Sequence, residues 1–158
     1  MTTQVHDTGE EFAIKDLFRS DELTKPASVS IGLFHDGEVS GDTGAGDDLG
    51  EAQDVGDITT EPQGASYARQ TASFDGSDFD AQDNGSANWQ AVIANQTFDT
   101  TDSSQDIDAY FVVVNFQAED TGDGSANDHL YWTGNLDQLY DLGSVDEFIL
   151  QGSGLEGQ

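Results

Sequence analysis

The chain has 158 residues and a mass of 16.9 kDa, the size of a single domain. It carries 32 Asp and Glu against 4 Lys and Arg, a formal charge of -28, and no cysteine. These values exclude disulfides and thiol chemistry, and they exclude nucleic acid and anionic membrane surfaces as partners, since both need a basic patch.

The first 25 residues hold three of the four basic side chains, Lys15, Arg19 and Lys25. From Thr8 the run Thr-Gly-Glu-Glu-Phe-Ala-Ile-Lys-Asp-Leu-Phe-Arg predicts a short helix. Thr8 serves as its cap, Glu10 and Glu11 favour the first turn, and Lys15 and Arg19 favour the last. Phe12, Ile14, Leu17 and Phe18 give an apolar stripe at roughly helical spacing, and Pro26 ends it. Residues 1–26 are therefore expected as an N-terminal helical segment and residues 27–158 as a β-domain that stays folded without residues 1–25. Met-Thr-Thr-Gln-Val-His has neither the charge nor the apolar stretch of a secretion signal, so a product made and kept in the cytosol is expected. The longest apolar run, Ala109 to Val114, falls far short of the roughly 20 residues that cross a bilayer as a helix.

Strand patterns follow. Ser28 to Phe34 alternates, with Val29, Ile31 and Leu33 on one face. Residues 35–57 form a Gly- and Asp-rich loop with little to bury, too long for a simple turn. Ser66 to Phe74 is extended in character. Trp89 to Phe98 places Trp89, Ala91 and Ile93 on one face. Ile107 to Phe116 contains Phe111-Val-Val-Val114, apolar on both faces, and reads as a central strand covered on two sides. His129 to Thr133 and Val145 to Leu150 complete the set, with Gly, Asp, Ser and Asn clusters supplying the turns between. The expected fold is mainly β: an antiparallel β-sandwich or small barrel of about six or more strands with a short N-terminal helix.

The acids gather between these apolar blocks, the arrangement of a folded protein with an acidic surface rather than of a disordered chain. A charge of -28 on so small a domain repels itself at ordinary ionic strength. At molar salt the screening length falls to about 3 Å, and hydrated carboxylates keep the surface soluble. With Lys15 and Lys25 as its two lysines, the composition points to an extreme halophile.

Catalytic patterns are missing: no nucleophile elbow, His-Glu-x-x-His, P-loop or Gly-x-Gly-x-x-Gly is present. A non-enzymatic role is expected. His6, His35 and His129 are isolated in sequence and are expected as solvated loop residues. Carboxylate loops suit hard cations such as Na, K, Mg or Ca. The candidate ligands are Asp120, Asp123 and Asp128, with Asp42 to Asp48 as a second loop; neither has EF-hand spacing, and hydrated loops are the simpler expectation. Arg69 stands alone, with no other Lys or Arg after Lys25. Its planar fork is expected to be pinned by a carboxylate, with Tyr67 on the same strand face.

The segment Ile58-Thr-Thr-Glu-Pro-Gln-Gly-Ala-Ser-Tyr-Ala-Arg-Gln70 resembles the small virion proteins of tailed bacteriophages labelled tail-fibre-like, minor tail or head accessory proteins. These commonly read Thr-Glu-Pro/Val-x-Gly-Gly-Gly-Tyr-Ala-Arg in their first third. Val29-Ser-Ile-Gly-Leu-Phe34 and Leu130-Tyr-Trp-Thr-Gly134 fall in the corresponding order. Ala65 and Ser66 stand where the family has glycines, and the acidic stretch 35–57 is longer than usual. With the composition, the resemblance implies a tailed virus of haloarchaea. The expected role is a capsid decoration or turret protein on the outer head shell, present in the virion as a symmetric homo-oligomer. The alternatives are a tail or neck component, or a host-adsorption module that binds cations or carbohydrate. The expected partners are the major capsid protein or other virion proteins, with no nucleic acid and no membrane. The expected contact residues are Phe12, Lys15, Leu17, Phe18, Arg19 and Lys25.

Overall fold

The computed structural model describes residues 3–7, 9–10, 14, 28–39, 41–42, 44–73, 75–83, 89–115, 128–152 and 154–156. Its strands, in chain order, are β1 (Thr3–Val5), β2 (Ser28–Phe34), β3 (Gln70–Ser73), β4 (Phe79–Asp83) and β5 (Trp89–Ile93). They continue with β6 (Gln96–Asp99), β7 (Asp106–Asn115), β8 (Asp128–Asp141), β9 (Glu147–Leu150) and β10 (Gly154–Glu156). The strands form three antiparallel sheets in a sandwich-like arrangement, ordered β1-β8-β7-β2-β3, β10-β5-β4 and β6-β9.

β7 is the spine. Ala109 to Val114 are each at most 1% exposed, because successive side chains of one strand feed two separate cores. Tyr110, Val112 and Val114 join Val29, Ile31 and Leu33 of β2, Trp132 of β8 and Phe98 of β6 on one side. Ala109, Phe111 and Val113 join Phe34, Leu130 and Leu49 on the other. Full burial of each large side chain contributes about 1.5–3 kcal/mol, so this one strand anchors both layers. Two glycines make room for its aromatic rings. A Cβ on Gly32 would meet the Phe111 ring at 2.2 Å, and one on Gly134 would meet the Tyr110 ring at 2.4 Å. Each glycine lies directly across the ladder from the ring it accommodates.

The stretch 35–57 differs from expectation. It carries buried Leu49, and Val55 and Ile58 pack beside it against the second core. It is a cover over one sheet face rather than a loop with nothing to bury.

The expected N-terminal helix is not seen as an element: Asp7, Gly9, Glu10 and Ile14 are helical, with a hydrogen bond from Glu10 N–H to His6 C=O at 3.0 Å, and the other residues of the expected helix lie outside the described residues. Ahead of it the chain start is recruited as a strand: Thr3 pairs with Gly134 and Val5 with Trp132, capping the β8 edge. His6 follows, fully buried. Residues 3–6 thus belong to the β-domain, and removing residues 1–25 would strip an edge strand and a buried imidazole from it. No helix among the described residues is long and apolar enough to cross a membrane.

Candidate functional site

The acidic cover 35–49 is organised by a carboxylate in the spine. Asp108 interrupts the apolar run of β7, beside an irregularity in the β7–β8 register, and is completely buried. Its Oδ1 accepts the N–H of Asp36 at 2.6 Å, and its Oδ2 accepts those of Gly37 at 3.0 Å and Val39 at 3.3 Å. Asp36, also buried, accepts the N–H of Leu49 at 2.9 Å. Burial pushes the Asp36 carboxyl above its ordinary value. The Leu49 N–H pulls the other way, and the charges of Asp108, Glu38 and Asp48 add to the rise. Asp47 ties the far end, accepting the Thr59 hydroxyl at 2.7 Å and the Thr60 hydroxyl at 2.7 Å.

His35 Nε2 contacts Asp42 Oδ2, and Asp108 brings a third ligand-type oxygen; the three atoms lie within 4.8 Å of one another. Burial lowers the His35 pKa, but the hydrogen bond and charge of Asp42, with Asp108 and Asp106 behind it, outweigh burial and leave it raised. One imidazole and two carboxylates form the donor set of a zinc-like ion, not the all-oxygen shell of Na, K, Mg or Ca. Both Asp108 oxygens already accept backbone N–H groups, and the His35 imidazole is already engaged by Asp42. The group is complete as a clasp for the cover.

A second lock sits at the edge of the first sheet. The β2–β3 ladder ends at Ile31 and Gln70, so the N–H of Leu33 finds no strand partner there; it donates to the Tyr67 hydroxyl at 2.9 Å. That hydroxyl donates to Glu61 Oε1 at 3.3 Å. Arg69 then grips both Glu61 oxygens, Nε at 2.9 Å and Nη2 at 2.8 Å, with its guanidinium 4.9 Å from the centre of the Phe111 ring. Tyr67 stacks on Phe98 at 5.9 Å. Glu61, Tyr67 and Arg69 therefore meet as one structural lock.

The third feature faces solvent. Leu136, Asp137 and Tyr140 of β8, Phe148, Ile149 and Leu150 of β9, and Gln151 line an open groove of about 510 Å³. Tyr140 packs edge-on against Phe148 at 5.1 Å and donates its hydroxyl to Asp137 at 2.7 Å. Four large apolar residues are exposed among the described residues: Ile14 at 59%, Leu139 at 37%, Val145 at 42% and Ile149 at 43%. Leu139 in β8, Val145 between the strands and Ile149 in β9 fall in one stretch of chain, where Asp137, Asp141, Asp146 and Glu147 are also exposed. Apolar surface ringed by acid is chemically suited to holding an apolar, basic segment.

Of the residues singled out in the sequence, Tyr67 and Arg69 are brought together. Asp128 opens β8 with Oδ2 4.0 Å from Arg69 Nη1. Asp120 and Asp123 lie outside the described residues, as do Phe12, Lys15, Leu17, Phe18, Arg19 and Lys25. His6 is not solvated: its Nδ1 bonds Gln53 O at 3.1 Å and its Nε2 bonds Thr133 Oγ1 at 3.2 Å. Sequence patterns missed Asp108, whose signal is one acid inside an otherwise apolar strand, and the groove, which β8 and β9 assemble from residues distant in pattern.

No family model, curated protein or solved structure matches the chain. Its function is read from its own residues.

Proposed function

We propose that this chain is a non-enzymatic structural protein of the virion of a halophilic tailed virus, a decoration or turret protein carried on the outer head shell as a symmetric oligomer. The observation that carries the reading is the contrast on its surface. A chain of charge -28 leaves Leu139, Val145 and Ile149 exposed on the stretch 139–149, with Ile149 in the lining of the groove. At molar salt, where charges are screened within about 3 Å, such apolar surface is strongly driven to find a partner. The acids elsewhere keep the particle hydrated. The Glu61–Tyr67–Arg69 lock supports the kinship with small phage virion proteins, because it gives the resembling residues a shared structural job. The N-terminal segment with Phe12, Lys15, Leu17, Phe18, Arg19 and Lys25 supplies a second contact surface, the basic one.

Antibody labelling of intact particles in molar salt tests the reading. Label over the head supports it, label over the tail moves the protein to the tail or neck, and unlabelled particles contradict a virion role.

A further inference from the structure

His6 closes the start of the chain onto the first sheet. The β1–β8 ladder runs through Thr3–Gly134, Gln4–Thr133 and Val5–Trp132, and His6 N–H extends it to Tyr131 C=O at 3.2 Å. The chain then lies flat on Tyr131, where a Cβ on Gly9 would collide with the Tyr131 carbonyl, and Asp7 N–H donates to Glu51 C=O at 3.1 Å. β1 has only three residues, sits at the sheet edge, and leaves Gln4 and Val5 half-buried. The imidazole that follows is completely buried. Among the described residues neither core includes a side chain of β1. A short edge strand of this kind opens at far lower cost than the cores, so the seating of the ring decides whether it stays.

The two ring nitrogens have different neighbours. Nδ1 lies 3.1 Å from the Gln53 carbonyl oxygen, which can only accept, so Nδ1 carries the proton. Nε2, 3.2 Å from Thr133 Oγ1, then accepts the hydroxyl proton. The neutral ring is fully satisfied. A second ring proton would point at the Thr133 hydroxyl, which must turn its own proton away inside a site closed to water. Burial is the largest influence on the ring and disfavours its charged form. The charged groups described on the elements around it are Asp7 and Glu10 on its own stretch, Glu51 and Asp54 on the cover, and His129 of β8, 3.8 Å from Asp54. Asp54 and Asp7 favour the charged ring through space, but no described carboxylate bonds it. The neutral imidazole fits its pocket and the charged one does not.

We infer that His6 is an acid-sensitive latch: protonation drives the imidazole from its pocket, and β1 parts from β8 while both cores stay folded. Opening frees the start of the chain and bares the β8 edge from Trp132 to Gly134, whose backbone groups can then pair with another strand. In the open state the ring is solvated and takes a proton at its ordinary value of about 6.5. The closed state is therefore favoured above that value, and the open state gains about tenfold for each pH unit below it. The latch works in this way whether or not the chain is a virion component.

Hydrogen exchange of the full chain in molar salt tests the latch, read as protection factors so that the intrinsic pH dependence of exchange cancels. Between about pH 7.5 and about pH 5.5 the amides of Gln4 and His6 are expected to lose about tenfold in protection. The amides of Val112 and Val114 in β7 should keep theirs. His6→Gln, which offers a donor and an acceptor but no titrating ring, should show no such loss. Equal protection of Gln4 and His6 at the two pH values, an equal loss in the variant, or a loss shared with β7 overturns the inference. Where the variant does not fold, the ring resonances of the wild type decide. A His6 ring that stays neutral with Nδ1 protonated for as long as β1 is protected supports the latch. A ring that titrates near its ordinary value while β1 remains protected shows that the closed pocket accepts the charge, and overturns it.

Discussion

Arg69 and Glu61 meet through two parallel hydrogen bonds, Nε to Oε1 at 2.9 Å and Nη2 to Oε2 at 2.8 Å. The pair is partly covered, with side-chain exposures of 30% and 19%, so salt screens it less than a surface pair. Both bonds depend on the planar fork, which lysine lacks. Arg69→Lys is expected to lower stability by about 1–2 kcal/mol in urea titrations at molar salt. Glu61→Gln should cost a similar amount. The double variant should cost clearly less than the two added together, because the partners act as a unit; full additivity would show that the pair does not hold the sheet edge.

Asp108 organises the acidic cover through three backbone N–H groups. Asp108→Asn turns one acceptor oxygen into a donor facing N–H groups and is expected to cost about 2–3 kcal/mol. Hydrogen exchange should accelerate most at the amides of Asp36, Gly37 and Val39. Uniform acceleration over the whole chain would assign Asp108 to the core alone. Because the His35–Asp42–Asp108 group is complete without an ion, a chelator at constant molar salt is expected to leave the melting temperature unchanged.

His6 is buried, and burial is the largest influence on it, pulling its pKa below the ordinary value against the raising effects of Gln53, Glu51, Asp54 and Asp7. Its unfolded form therefore binds a proton more readily than its folded form. The stability that His6 contributes is present above the unfolded value of about 6.5 and declines as pH falls through it. His35, raised by Asp42 over the opposing effect of burial, works in the other sense: its contribution is present below that value and is lost as pH rises through its folded pKa. Urea midpoints of the wild type and His6→Gln, compared between about pH 7.5 and about pH 5.5, isolate the first effect. The wild type should lose more stability on acidification than the variant; equal losses would mean that His6 does not titrate on unfolding.

Salt should control folding. With 32 carboxylates and few cations to offset them, lowering salt from molar to tens of millimolar lengthens screening from about 3 Å to beyond 10 Å and restores self-repulsion. Circular dichroism should show loss of the β-spectrum or a falling melting temperature. An unchanged spectrum and melt would remove the argument for a halophilic source.

The parts of the fold that sequence made legible are those where one residue pattern has one physical meaning. Alternation over Ser28 to Phe34 and the two-sided run Phe111 to Val114 gave β2 and β7, because burial on one or two faces writes directly into the pattern. β8 was legible only from His129 to Thr133. Its continuation to Asp141 carries exposed Asp137, Gln138 and Leu139 and meets β7 again only at Tyr140 and Asp141, so no regular buried face marks it in the sequence. β1, β4 and β10 escaped for a related reason: they are short, and β4 is largely exposed, so ladder partners far away in sequence define them. At the candidate sites, Arg69 announced itself as an isolated cation. The groove did not, because Ile149 on its own reads as an ordinary strand residue until Tyr140 and Leu136 are placed beside it.

The central claim, that this is a surface component of a virus particle, is tested most directly by its copy number. Quantitative mass spectrometry of particles purified in molar salt gives the ratio of this chain to the major capsid protein. A decoration or turret protein repeats with the symmetry of the shell, so the account predicts on the order of tens to hundreds of copies per particle. Its absence from purified particles, with the chain found only in infected-cell extract, would contradict it.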